Sequence, residues 1–260
     1  MSPQLVFAPS PPAEAQSPPS PTPPLPVPEE PDRSPWARWR RHFERTAARP
    51  TPRTEDRIHL PPAHAAALAS SLARFQVGET GEGRIVGAIA RTPLAGVDDD
   101  YRRALALFVA EEGRHARILA GIVRGLGGEL LATSWTARLF TRVRSLAGIR
   151  FKVLAMFAAE VISIGFYAVL AAALPAGGAR VALEQIARDE RAHLRFHRDF
   201  FRIQAPRGWR RGAFLASWIP LAHAAVLLVL WDHRRALRAL GIPTRPLATR
   251  LFAVIAEGAR

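Results

Sequence analysis

Two segments of the chain place a carboxylate and an imidazole three residues apart, Glu112-x-x-His115 and Glu190-x-x-His193. On a helix, residues three apart are surface neighbours. Carboxylates are hard anionic donors that can bridge two metals, and imidazole suits iron, so each pair reads as part of a metal site. Both pairs run in line with apolar residues: Phe108, Leu119 and Ile122 with the first, Leu183, Ile186 and Phe200 with the second. A third carboxylate, Glu160, stands in the middle of an almost purely apolar run from Val153 to Leu174. Burying a lone carboxylate is costly unless it is neutralised, paired or bound to metal. An arginine partner or a solvated seam is the alternative to metal at Glu160. Glu79 and Glu82 lie near Leu72 and Phe75, among Gly78, Gly81 and Gly83. Each glycine weakens a helix by about 1 kcal/mol, so a neighbouring helix or a ligand is expected to come close there.

The order is therefore Glu, Glu-x-x-His, Glu, Glu-x-x-His. Glu79 and Glu112 are 33 residues apart, Glu160 and Glu190 are 30 apart. The halves read as approximate copies, each an antiparallel helix pair. The elements that must position these residues are helices, since sustained alternation is missing and Gly and Pro fall at breaks. The periodicity predicts a helix over 62–90, ending before Pro93. A second starts after the capping run Asp98-Asp99-Asp100 and ends at Gly125 to Gly128. A short one covers 135–144. A third long helix spans 150–174 and a fourth runs from Gly177-Gly178 to before Pro206. A very apolar fifth covers 211–240, interrupted near Pro220, and a last one 248–257.

This arrangement resembles the ferritin-like di-iron or di-manganese carboxylate superfamily, in which two helices give a Glu each and two others a Glu-x-x-His. The resemblance covers about residues 62–203. It implies an all-α, ferritin-like four-helix bundle with additional C-terminal helices and a metal set of Glu79, Glu112, His115, Glu160, Glu190 and His193. It also implies that Glu112 and Glu190 bridge two iron ions (or manganese) while Glu79 and Glu160 are terminal. The stretch Gly78-Glu79-Thr80-Gly81-Glu82-Gly83-Arg84-Ile85 is similar to the first-helix segment of the demethoxyubiquinone hydroxylase family, which singles out Glu79 as ligand and leaves Glu82 as a neighbour or substitute. The match is loose beyond those residues. Glu111 and Asp189 are either acceptors for the outer histidine nitrogens or solvated surface charges. Tyr167, two turns after Glu160, either packs or donates a hydrogen bond near the site. His197, one turn past His193, either supports the ligands from behind or faces the surface, and the surface is preferred.

The superfamily implies an O2-dependent oxidase or hydroxylase of a small apolar organic substrate, fed by an external electron donor. Iron or peroxide handling, tRNA hydroxylation and a non-enzymatic membrane-associated helical protein are the alternatives. The absence of cysteine excludes thiolate metal centres, a built-in rubredoxin relay and thiol nucleophiles. The formal charge of +14 is almost all arginine, Lys152 being the only lysine. Compositional bias accounts for such a charge as readily as an anionic partner does. A membrane surface is the preferred partner over nucleic acid. Residues 1–35 hold 13 of the 23 prolines and read as a disordered tail. A basic segment with Trp36, Trp39 and Phe43 at helical spacing follows, either docking on the core or on a membrane. The tail is taken to residue 60 and the folded part is expected from Pro61. No secretory pattern is visible at the start. Ala213 to Trp231 carries no formal charge and has arginines and tryptophans at its ends. It is expected to cover the bundle, to insert peripherally at the inner membrane from the cytoplasm, or to span it.

Overall fold

The computed structural model describes residues 34–54, 57–80, 83–145 and 148–260. Ten helices and no strands form among these residues: α1 (Ala37–Ala47), α2 (Pro62–Glu79), α3 (Arg84–Ala90), α4 (Asp99–Gly125), α5 (Trp135–Ser145), α6 (Ile149–Ala172), α7 (Gly178–Gln204), α8 (Gly208–Asp232), α9 (Arg234–Ala239) and α10 (Thr244–Gly258). The long elements begin and end where the sequence punctuates them. Asp98 caps α4, its carboxylate accepting the Tyr101 N–H at 2.9 Å, with Asp99 and Asp100 in the positive first turn. Gly177, at φ +157°, turns the chain between α6 and α7 and makes them neighbours.

Packing brings four helices together around the expected site. α6 lies along α7, α2 lies along α4, and α4 meets α7. One continuous core joins them, from Leu68 and Leu72 on α2 through Phe108 and Leu119 on α4 to Phe157 and Phe166 on α6 and Ile186 and Phe196 on α7. α8 and α10 pack on α6, and α9 packs on α2. The close approach of α10 needs Gly165, where an added Cβ would sit 2.4 Å from Leu251 Cδ2.

Three expectations are corrected. The helix expected over 62–90 is two helices, α2 ending at Glu79 and α3 starting at Arg84. Glu82 falls between them, outside the described residues. Pro220 does not interrupt α8. It is exposed, so the carbonyl it leaves without an N–H partner can be hydrated, and the break falls instead at His233. Finally, the folded part does not start at Pro61. α1 lies along α4 and buries Trp36, Trp39 and Phe43 in the core, and the body runs from Ser34 to Arg260. The Trp36 indole N–H donates to the Gly96 carbonyl at 2.5 Å, and the Trp39 indole to Asp199 at 2.9 Å. The proline-rich stretch before residue 34 lies outside the described residues.

Phe43 is fully buried against Phe108, Phe196 and His193. Phe43→Ala is expected to cost about 3–5 kcal/mol of metal-free stability by chemical denaturation. Trp209→Ala, at a side chain 79% exposed, is expected to stay within about 0.5 kcal/mol. Equal effects would show that α1 is not part of the core.

Candidate metal centre

α2, α4, α6 and α7 each bring acidic side chains to one buried place. Glu79 ends α2, Glu112 and His115 face inward from α4, Glu160 sits mid-way along α6, and Glu190 and His193 face inward from α7. All six are buried, the two histidines completely. His193 Nδ1 lies at the centre. It is 2.8 Å from Glu112 Oε1, 3.1 Å from Glu190 Oε2 and 3.6 Å from Glu160 Oε2. His115 Nδ1 is 3.1 Å from Glu190 Oε1 and 3.7 Å from Glu112 Oε1. Glu79 lies close enough to Glu112, and Glu160 to Glu190, for their charges to act on each other. The six residues expected from the sequence thus converge.

The outer ring nitrogens are held crosswise. His193 Nε2, on α7, donates to Glu111 Oε2 of α4 at 3.1 Å. His115 Nε2, on α4, lies 3.5 Å from Asp189 Oδ2 of α7. Both acids are buried and in turn held by arginine, Glu111 by Arg114 and Asp189 by Arg49 at 2.9 Å. Glu111 is therefore an acceptor for His193 rather than a solvated surface charge, and Asp189 is buried at ion-pair distance from His115. A hydrogen bond on Nε2 leaves the Nδ1 lone pair free to face the cluster. Tyr167 Oη donates to Glu79 Oε1, which puts this tyrosine at the site. The expectation for His197 is overturned: it is fully buried, with Nε2 3.5 Å from Glu160 Oε1. Its spacing of four from His193 was the missed signal, since it extends the same inward stripe.

The donor chemistry fits a metal. Glu112 Oε1, Glu190 Oε1 and both nitrogens of His115 are buried without a hydrogen-bond partner, the short contacts to histidine lacking the required direction. Glu112, His115, Glu190 and His193 each place a donor atom within 4.8 Å of the others. Among the described residues, the inner glutamates pair only with histidine and no guanidinium reaches them. Such a cluster could hold a metal ion.

A cavity of about 140 Å³ reaches Glu79, Glu112 and Glu160 from between α2, α5 and α6. Phe75, Phe140, Met156 and Ile162 line it, with Ser134, Thr136 and His233 toward α5 and α8. No family model matches this chain, and no curated protein and no solved structure matches it. What can be stated is the class: an all-α protein with a buried Glu/His cluster suited to metal.

Burial, and then the neighbouring carboxylates, hold Glu79 well above the usual carboxylate range and raise Glu112 and Glu190. For His115 and His193 burial opposes the charged form, but hydrogen bonds and contacts with the acids outweigh it and raise both well above 6.5. At Glu111 burial is likewise outweighed, by His193, and at Asp189 by His115, so both are lowered. A raised group contributes stability that is complete below its unfolded value, 4.5 for Glu and 6.5 for His, and lost as pH climbs through its folded value. The lowered pair contributes stability above 4.5 and 3.8, lost as pH falls through the folded values. Burial lowers His197 to about 3 and His233 to about 4, which opposes the fall below pH 6.5, so the melting temperature of chelator-treated protein is expected to fall from about pH 6.5 to about pH 8. Added metal should stabilise more at the higher pH, because its ligands must be deprotonated. A metal-free melting temperature that rises over this interval would contradict the assignment.

Proposed function

We propose that this chain is a ferritin-like di-iron protein, with α2, α4, α6 and α7 as its four-helix bundle. It acts as an O2-dependent oxidase or hydroxylase of a small apolar organic substrate. One observation carries the reading. Four helices each supply a glutamate, and two of them a Glu-x-x-His, to a buried cluster in which, among the described residues, no guanidinium or ammonium group pairs with the carboxylates. Four carboxylates balance two divalent ions, and the mixed carboxylate and imidazole donors suit iron, with manganese as the alternative. Glu79, Glu112, His115, Glu160, Glu190 and His193 would hold the pair. Bound there, two redox-active ions supply one electron each to the two-electron reduction of O2, and an external donor restores them.

The chain's own residues do the remaining work. Glu111 and Asp189 hold the imidazoles of His193 and His115 with Nδ1 turned inward. Tyr167 holds Glu79 by its hydroxyl proton. Phe75, Phe140, Met156 and Ile162 give the approach to Glu79, Glu112 and Glu160 an apolar wall for a hydrocarbon body, while Arg74, Arg144, Thr141 and Ser163 give it polar groups as well. The cavity is about the size that holds a single benzene ring, roughly 150 Å³.

Elemental analysis of protein loaded with Fe(II) is expected to find about two ions per chain, the number that four carboxylates neutralise. Oxygen uptake should then continue with an added reductant. Glu160→Gln should lose metal while raising metal-free stability by about 1–2 kcal/mol, because one of several crowded carboxylates becomes neutral. Retention of both ions, or a large loss of metal-free stability, would instead mean that Glu160 serves an internal ion pair.

We further propose that the protein works in the cytoplasm at the inner membrane surface. By length and composition both α6 and α8 could cross a bilayer, with 72% and 39% of their apolar windows buried. α6 carries Glu160 and belongs to the core. α8 turns outward an uncharged stripe of Ala213, Ala216, Pro220, Ala224, Leu227 and Trp231. Trp231 meets Trp135 of α5 edge to face at 5.6 Å, and the same two helices border the cavity. Arg234 lies over Trp231 at 4.2 Å, placing a cation beside the apolar stripe. The protein is expected to float with vesicles rich in anionic lipid, and high salt should release only part of it, since screening weakens the charge attraction and not the apolar burial. Trp231→Ser with Leu227→Ser should remove the salt-resistant part. Flotation that is absent, or unchanged in the double variant, would sink this location.

A further inference from the structure

Beyond the six residues that the Glu-x-x-His pattern selects, α7 carries a third imidazole into the same place. His197 follows His193 by one helical turn, so Glu190, His193 and His197 share one face. The side chain is fully buried and neither ring nitrogen has a hydrogen-bond partner. Phe108, Phe157 and Phe196 surround the ring, with centroids 5.1, 6.2 and 5.6 Å away. Glu160 faces it: Oε1 lies 3.5 Å from His197 Nε2, while Oε2 of the same carboxylate lies 3.6 Å from His193 Nδ1. One carboxylate thus faces two imidazoles, one with each oxygen. A buried, unpartnered polar group is costly, and a phenylalanine would complete this aromatic box without that cost. A cation beside Glu160 gives the Nε2 lone pair a partner.

We infer that His197 is a metal ligand, donating Nε2 to the ion held by Glu160. The inference rests on the di-metal reading and makes the two positions unequal. The ion beside Glu160 would take His193 and His197, whereas the other would take His115 alone.

Cobalt(II) titrated into the metal-free full chain, in competition with a chelator, tests this. Wild type is expected to bind two ions. His197→Phe is expected to keep one and to weaken the other at least about tenfold, a loss of the size that ligand-supporting groups alone produce. Its metal-free melting temperature should be unchanged or higher, since the substitution removes an unpartnered polar group. Unchanged affinity at both positions, or a lower metal-free melting temperature with binding intact, would assign His197 a packing role and overturn the inference while leaving the di-metal centre. Wild type that takes no cobalt would overturn both. Should His197→Phe fail to fold, X-ray absorption of the wild-type cobalt form decides: three imidazoles per two ions support the inference and two overturn it.

Discussion

The arrangement turns on one electrostatic constraint. Glu79, Glu112, Glu160 and Glu190 are buried together, and the side chains that meet them are histidines, a tyrosine and each other. Like-charged carboxylates in a poorly solvated place cannot all ionise without a positive charge among them. Protons can meet that need in the metal-free protein, and the upward shifts at Glu79, Glu112 and Glu190 express it. Divalent ions meet it without sacrificing the donors. The surrounding shell follows the opposite rule: Glu111 and Asp189 reach arginines, are held ionised, and can orient the imidazoles. Inner acids that meet histidines and outer acids that meet arginines make a centre able to exchange protons for metal.

The crosswise contacts, a hydrogen bond at His193 and an ion-pair approach at His115, make the helices interdependent. The acid preceding each Glu-x-x-His faces the histidine of the other helix, Glu111 toward His193 and Asp189 toward His115. A shift of α4 along α7 would break both relations together. α1 reinforces this side by packing Phe43 against the His193 ring, and Arg49 beyond its end reaches Asp189. This is why a segment that reads as a tail by its basic composition belongs to the body: its three aromatic side chains fill the space beside the site.

Much of this was legible because buried polar residues break a helical apolar pattern visibly. Glu160 in a hydrocarbon run and the repeated Glu-x-x-His require no tertiary information to stand out. The acids before the two motifs, Glu111 and Asp189, repeat as well, but their crosswise pairing depends on the offset between α4 and α7, which spacing within a helix does not encode. His197 was assigned to the surface although its spacing put it on the inward face; periodicity was the better guide. The proline in α8 misled for a local reason. A missing N–H breaks a helix where its lost partner is buried, and Pro220 is on the solvent side, so the helix continues to His233.

The two sides of the centre have different chemistry. On the α1 side, Glu111, Asp189, Arg49, Arg114 and the ring of Phe43 close the space behind His193 and His115. On the opposite side the cavity ends on the carboxylates of Glu79, Glu112 and Glu160, and neither His115 nor His193 lines it. Small molecules entering from there would meet the carboxylate edge of the centre. Tyr167 and the C-terminal end of α2 border that edge at Glu79. Glu79 stands at a helix end, held by the Tyr167 hydroxyl. Displacement of Glu112 or Glu190 would disturb the middle of a long packed helix. The fold therefore makes Glu79 the donor most able to move and leaves the α4–α7 pair as the fixed frame.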